Sequence, residues 1–505
     1  MMKKKFARMI LLLVISASSN FAKGQSTSGD SIFYLPVIHT IDIYNSDPNF
    51  WDSLVANYSL DRKIYCHIML DSNRLMDSVG IQLKGNSSYN SMPGVKKSMK
   101  LSFNNWVSGQ NWNGLKEVVL NNGFKDPTMM REKLMLDFMN RNNVYSPRCT
   151  YSKVYINGVY WGLYALVESV SANKFLTQHF NDKRGNLYKG DPNGTLQWLG
   201  STPSLYYLKY ELKTNTTQNN WNDLVELLDK INNSSTADFH DSVETILHGW
   251  SFINCWAANI IFANLDSYQG SGHNYYMYDD SLTNKFSWIA WDVNEAFGNF
   301  QMSMNTSTIE NMSILYISNP QSNRPIEQKM LANAQYKQDY VTEICLMTES
   351  DFTTTHLYPI IDSLANRIRT AVYADVNKQY SNQAFEDNQT MDLGPQPGLK
   401  PFISVRRNAL MNEMATYGCY LSVKENTSEN NFILYPSPAT DKVTIELPVF
   451  RNEINLVVTD MLGRTVLNST ERDNDRLSID VSQLSNGVYT VCINNTMFRK
   501  MEVVH

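Results

Sequence analysis

After its first residues the sequence has no apolar run near the roughly 20 residues that a spanning helix needs, and so no expected membrane crossing. It has no basic excess either: 44 Lys and Arg stand against 49 Asp and Glu, a net charge of −5. That balance removes the positive field a nucleic-acid partner requires. Its six cysteines, Cys66, Cys149, Cys255, Cys345, Cys419 and Cys492, show no CxxC and no metal-like spacing, which leaves neither a zinc module nor a disulfide framework to expect. Cys255 lies in an apolar helical run and reads as a buried thiol. Charged residues make up only 18% of the chain while Asn, Ser and Tyr are abundant, a composition that suits an exported protein. The N-terminus agrees: Lys3, Lys4, Lys5 and Arg8 precede the apolar run Met9 to Ile15, and small residues follow to Ala22. This order predicts a signal peptide over residues 1–24.

Length favours two or three domains. Alternating apolar residues predict strands at Leu35 to Tyr44, Ile64 to Met69, Val79 to Lys84 and Lys97 to Phe103. A helix is expected over Thr128 to Asn142. Asn157-Gly158 between two β-rich runs, Lys153 to Ile156 and Tyr160 to Val167, predicts a hairpin. Helical periodicity then takes over at Trp221 to Ile231, Phe239 to Phe262, Pro325 to Met347 and Phe352 to Lys378. A strand-rich first part and a helix-rich second part predict an α+β fold. Residues 421–431 read as a polar linker, and from Phe432 the chain is short strands and turns, expected to form a small immunoglobulin-like sandwich over 432–505.

The densest cluster of chemistry is Asn264-Leu-Asp-Ser-Tyr-Gln-Gly-Ser-Gly-His-Asn-Tyr-Tyr-Met-Tyr278, followed by Ser287-Trp-Ile-Ala-Trp-Asp-Val-Asn-Glu-Ala-Phe-Gly298. Asp266, Asn274 eight residues on, and Asp292 match the three parts used in phosphoryl transfer to a hydroxyl. These are a carboxylate that takes the acceptor proton, and an Asn and an Asp on metal. Hard cations at such sites, Mg²⁺ or Mn²⁺, take carboxylate and phosphate oxygens.

Two resemblances frame these motifs. Tyr435-Pro-Ser-Pro-Ala-Thr440, Thr459-Asp-Met-Leu-Gly-Arg464, Leu484-Ser-Asn-Gly-Val-Tyr-Thr-Val491 and Arg499-Lys500 resemble the type A C-terminal sorting domain of the type IX secretion system, with Ser437 in place of the usual Asn. This resemblance implies that the type IX export machinery of a Bacteroidetes-type bacterium is a partner, and that the protein reaches the cell surface or the medium. Upstream, Ile81-Gln-Leu-Lys-Gly-Asn-Ser-Ser88, Lys96-Lys-Ser-Met-Lys-Leu-Ser-Phe103, Met130-Arg-Glu-Lys-Leu134, Tyr155-Ile-Asn-Gly-Val-Tyr-Trp-Gly-Leu-Tyr164, Val167-Glu168 and Leu187-Tyr-Lys-Gly190 occur in the order seen in the CotH family of spore-coat-protein-like kinases. That likeness runs over about 35–420 and implies an atypical protein-kinase-like fold that binds ATP and metal. Carried over by position, it implies Asp266 as the catalytic carboxylate and Asn274 and Asp292 as metal ligands. The chain departs from the family at Asn294, where many members carry a second Asp, so a catalytically silent surface protein acting in adhesion, assembly or glycan handling stands as the alternative to an exported kinase.

The phosphate side is read from strand alternation. Lys97 shares the apolar face of Met99, Leu101 and Phe103, an unfavourable place for an ammonium unless phosphate or a partner meets it, so Lys97 is the first candidate for the triphosphate and Lys100 the second. Lys84-Gly-Asn-Ser-Ser88 offers a backbone-amide turn. Glu132 either pairs with the lysine or sits as an acid at a helix start, and Glu168 either borders the nucleotide or ends its strand on solvent.

Overall fold

The computed structural model describes residues 28–170, 173–419, 432–447, 453–460, 464–472, 476–493 and 497–505; the expected signal peptide and the polar linker lie outside them. The chain divides into two compact units, with the division after Glu413.

In the first unit, seven strands close into a barrel: β1 (Ile38–Tyr44), β2 (Ile64–Leu70), β3 (Arg74–Lys84), β4 (Ser98–Ser102), β5 (Glu117–Asn121), β6 (Cys149–Ile156) and β7 (Val159–Glu168). Their order around the barrel is β1-β2-β3-β4-β5-β7-β6, and β6 returns parallel to β1. Two-residue periodicity decides what faces inward. Ile41, Ile43, Ile68, Ile81, Leu83, Met99, Leu101, Val118 and Leu120 fill one core. The outward positions of β3, β4 and β5 are Gln82 and Lys84, Ser98 and Lys100, and Val119 and Asn121; all of these line one cleft. The expected hairpin forms β6 and β7, with Asn157 at φ 50° and Gly158 at φ 80°, the paired positive values of a tight two-residue turn.

Beyond the barrel lies a four-stranded sheet, order β11-β10-β8-β9, from β8 (Leu187–Lys189), β9 (Glu211–Leu212), β10 (Tyr275–Asp280) and β11 (Lys285–Ala290). Helix Gly249–Ile261 packs behind it, buried nearly all round, with Phe252 edge-on to Trp288 and Trp256 stacked on Tyr340. Two expected helices are each broken. Phe239 to Phe262 divides into Phe239–Glu244 and Gly249–Ile261, because Ile246 to His248 turn aside to bond Phe286. Pro325 to Met347 divides at Asn333, whose side chain caps the second helix by accepting from the Tyr336 amide. The α+β expectation stands in this mixed form, with a closed barrel where only strand-rich structure was expected.

From Phe432 onward the described residues of the second unit form only strands and turns. One sheet has β12 (Ile433–Tyr435), β13 (Lys442–Glu446) and β16 (Arg476–Asp480) in the order β12-β13-β16. The other has β14 (Glu453–Asp460), β15 (Thr465–Arg472), β17 (Gly487–Ile493) and β18 (Met497–Val503) in the order β15-β14-β17-β18. Val443, Ile445, Leu456, Val458, Ile479 and Val491 share their core. Among the described residues no helix is long and apolar enough to cross a membrane.

Candidate functional site

A cleft of about 620 Å³ opens between the outward face of β3, β4 and β5 and the β10–β11 hairpin. The hairpin sets two of the expected residues side by side. Tyr275 pairs with Ala290, so Asn274, just before β10, and Asp292, two residues past β11, emerge at the same end. Both sit at positive φ, 62° and 53°, in the left-handed region that non-glycine residues occupy at a cost.

Asp266 joins them from the loop after helix Gly249–Ile261. The Asn274 amide Nδ2 donates to the Asp266 main-chain carbonyl at 2.8 Å and to its Oδ2 at 3.2 Å. Ser271 Oγ donates to Oδ1 at 3.1 Å, and His273 Nε2 lies 3.3 Å from the same oxygen. For His273, burial opposes the imidazolium, but the bond to Asp266 and its charge outweigh it and the pKa rises. Asp266 is thus held on several sides with its carboxylate lining the cleft.

Across the cleft, Lys84 Nζ donates to Asn121 Oδ1 at 3.0 Å, and Asn121 Nδ2 donates to Glu132 Oε1 at 2.7 Å. Burial pulls the Lys84 pKa down while Asp292 and Glu132 push it up. Burial and then Asp292 push the Glu132 carboxyl well above the ordinary carboxylate range, against the pull of Lys84. Glu132 is set there by its helix, Arg131–Arg141, whose start is fastened by Asp126. The Asp126 carboxylate accepts from the Thr128 and Arg131 amides at 2.9 Å each, and pairs with the fully buried Arg131 guanidinium.

All three motif residues therefore converge, Lys100 lines the same cleft, and Glu132 reaches it through Asn121. Lys97 and Glu168 do not come to it. Strand β4 begins at Ser98, so alternation does not govern Lys97; its ammonium turns back to the Tyr89 and Met92 carbonyls at 2.8 and 2.6 Å. Glu168 neither ends its strand on solvent nor borders the cleft: it is buried against Arg148, Oε1 to Nη2 at 2.6 Å and Oε2 to Nε at 2.9 Å. Lys84 is the lysine the alternation argument passed over. Its signal was Ile81-Gln-Leu-Lys84, where Ile81 and Leu83 face the core and Lys84 must face out. Asn294 donates to the Phe124 carbonyl at 3.4 Å, and Glu295, buried, takes Lys125 on both oxygens at 3.1 and 3.0 Å. Trp291 to Val293 are irregular and Asn294 to Asn299 form turns, and Asn294 and Glu295 both line the cleft.

As a metal site the donor set is one carboxylate, Asp292, and one amide, Asn274. That falls short of an all-protein cage and fits a hard cation that completes its shell with phosphate oxygens and water.

Residues 81–410 match the CotH kinase protein family, and residues 433–502 match the secretion system C-terminal sorting domain. Inner spore coat protein H of Bacillus subtilis (strain 168) is 27% identical over 295 residues, which is 58% of this chain and 77% of that protein. A crystal structure of the Helicobacter pylori proinflammatory kinase CtkA aligns with 65% of this chain and 93% of its own at 13% identity, with a TM-score of 0.29, too low to equate the two folds. With more than half of its length inside the family match, the chain belongs to the CotH kinase protein family.

Proposed function

We propose that this protein is an exported kinase that transfers the γ-phosphoryl group of ATP to hydroxyl side chains of surface or secreted proteins. The observation that carries this reading is the convergence of Asp266, Asn274, Asp292 and the Lys84–Asn121–Glu132 chain on one cleft. Asp266 accepts the proton of the acceptor hydroxyl as its oxygen bonds the γ-phosphorus, the bond to the β,γ-bridging oxygen breaks and ADP leaves. Lys84, oriented by Asn121, binds phosphate oxygens, and the turn Gly85 to Ser88 borders them. Asp292 and Asn274 would hold Mg²⁺ or Mn²⁺, which when bound neutralises phosphate charge. The sorting domain supports delivery through the type IX machinery to the cell surface or the medium.

Phosphoryl transfer is tested by incubating the purified full chain with γ-labelled ATP and Mn²⁺ or Mg²⁺, alone and with outer-surface protein fractions. Label should pass to protein with the parent chain and not with Asp266→Asn. Equal labelling by both would refute the role of Asp266. A second reading, a catalytically silent kinase-like surface protein, is favoured by Asn294, a neutral amide that lines the cleft and brings no carboxylate charge to a metal; nucleotide binding without transfer would select it.

A further inference from the structure

The loop that carries Asp266 doubles back on itself. The Ser271 amide donates to the Leu265 carbonyl at 3.0 Å and the Gly272 amide to the Ser267 carbonyl at 2.9 Å. Gly270 passes so close to Leu265 that a Cβ there would strike its carbonyl, and only glycine fits. The Gln269 and Gly270 carbonyls are met from outside the loop, by Arg324. Its Nε donates to Gln269 at 3.2 Å and its Nη2 to Gly270, while Nη1 donates to the carbonyl of its neighbour Asn323 at 2.7 Å. The guanidinium is 4% exposed and lies over the Tyr268 ring, 5.3 Å from its centroid. It is brought there by the start of helix Pro325–Ala332, 54 positions along the chain from Gly270. A cation buried this deeply is costly unless its hydrogen bonds are made, and here they go to the loop.

The contact reaches Asp266 through one peptide unit. The Gly270–Ser271 peptide is held at both ends, its oxygen by Arg324 and its nitrogen by the Leu265 carbonyl, and the Ser271 hydroxyl then donates to Asp266 Oδ1 at 3.1 Å. Arg324 itself stands behind the loop and is not among the residues that line the cleft. We infer that Arg324 is a positioning residue for phosphoryl transfer: by fixing the Gly270–Ser271 peptide it sets the direction of the Asp266 carboxylate, and with it the angle at which the acceptor hydroxyl meets the γ-phosphorus. This rests on the role given to Asp266 above. Displacing reacting groups by about 1 Å can cost about 100-fold in rate, so a loop that is free to shift loses transfer before it loses nucleotide.

The test compares the full chain with Arg324→Met and Arg324→Lys in three measurements: calorimetric ATP affinity with Mn²⁺, the initial rate of label transfer from saturating γ-labelled ATP to outer-surface protein fractions, and amide hydrogen exchange. Arg324→Met should transfer label at least about tenfold more slowly while its ATP affinity stays within about twofold of the parent. Exchange should quicken in residues 264–274 and keep its parental rates in the barrel, which tells a loosened loop from a loosened fold. Arg324→Lys keeps the charge but not the planar fork, and should transfer at a rate between the two. Parental transfer by Arg324→Met would overturn the assignment. So would a loss of ATP affinity in step with the rate, or faster exchange throughout the chain, since each marks a structural role only. A parent chain that transfers no label removes the transfer reading and the assignment together, whereas an active parent with an unaffected Arg324→Met removes the assignment alone.

Discussion

Lys84 and Glu132 are joined through a third residue. Asn121 accepts from the lysine at 3.0 Å and donates to the glutamate at 2.7 Å, so a neutral amide sets the distance between a half-buried cation and a buried carboxyl. Replacing it with Ala takes this partner from the buried Glu132 carboxyl and frees the half-buried Lys84, and an unsatisfied buried polar group costs about 1–3 kcal/mol. Asn121→Ala should therefore lower unfolding free energy by roughly that amount in urea titrations and weaken ATP binding. An unchanged ATP affinity would remove Asn121 from the site.

Lys84 and Lys97 make opposite predictions. Lys84 lines the cleft, whereas Lys97 is committed to the Tyr89 and Met92 carbonyls. Lys84→Met should abolish ATP-dependent thermal stabilisation, and Lys97→Met should retain it. The reverse result would restore the lysine favoured by alternation.

Glu168 is tied to stability. It is 1% exposed and holds Arg148, which also reaches Asp30 at 2.7 Å. Removing one member of a buried pair typically costs about 3–5 kcal/mol. Glu168→Ala should show a loss of that order in denaturant titrations, with the nucleotide affinity of the folded fraction unchanged.

Glu295 gives a pH signature. Burial first, and then the nearby Asp266, push its carboxyl up to about 7, against the pull of Lys125. The folded value exceeds the unfolded one, so the unfolded chain gives up its proton first as pH rises. Glu295 therefore favours folding fully below about pH 4.5, and that contribution is lost as pH climbs to about 7. Relative to Glu295→Gln, the parent should lose up to about 3 kcal/mol of stability over this window and then run parallel. Parallel stability curves between pH 4.5 and 7 would contradict the shift.

How much of this was legible in the sequence follows from where each residue sits. Asp266, Asn274 and Asp292 could be read because all three lie in short loops bracketing one hairpin, so local order translates directly into proximity. Lys84 carried a signal of its own in the alternation of Ile81 to Lys84, but preferring it to Lys97 required knowing that β4 starts at Ser98. The barrel was hidden for a similar reason: it closes through the parallel pairing of β1 with β6, more than a hundred residues apart, which no local pattern encodes. β5, only five residues, passed unnoticed although it supplies Asn121. The broken helices kept their apolar periodicity across the break; what interrupts the first is a tertiary pairing with Phe286.

The most direct test of the central claim is metal-dependent ATP binding by the full chain, followed as a thermal shift alongside Asp292→Ala. Saturable stabilisation by ATP with Mn²⁺ or Mg²⁺ that disappears in the variant is the predicted result. No shift at millimolar ATP with either metal, or an equal shift in Asp292→Ala, would contradict it.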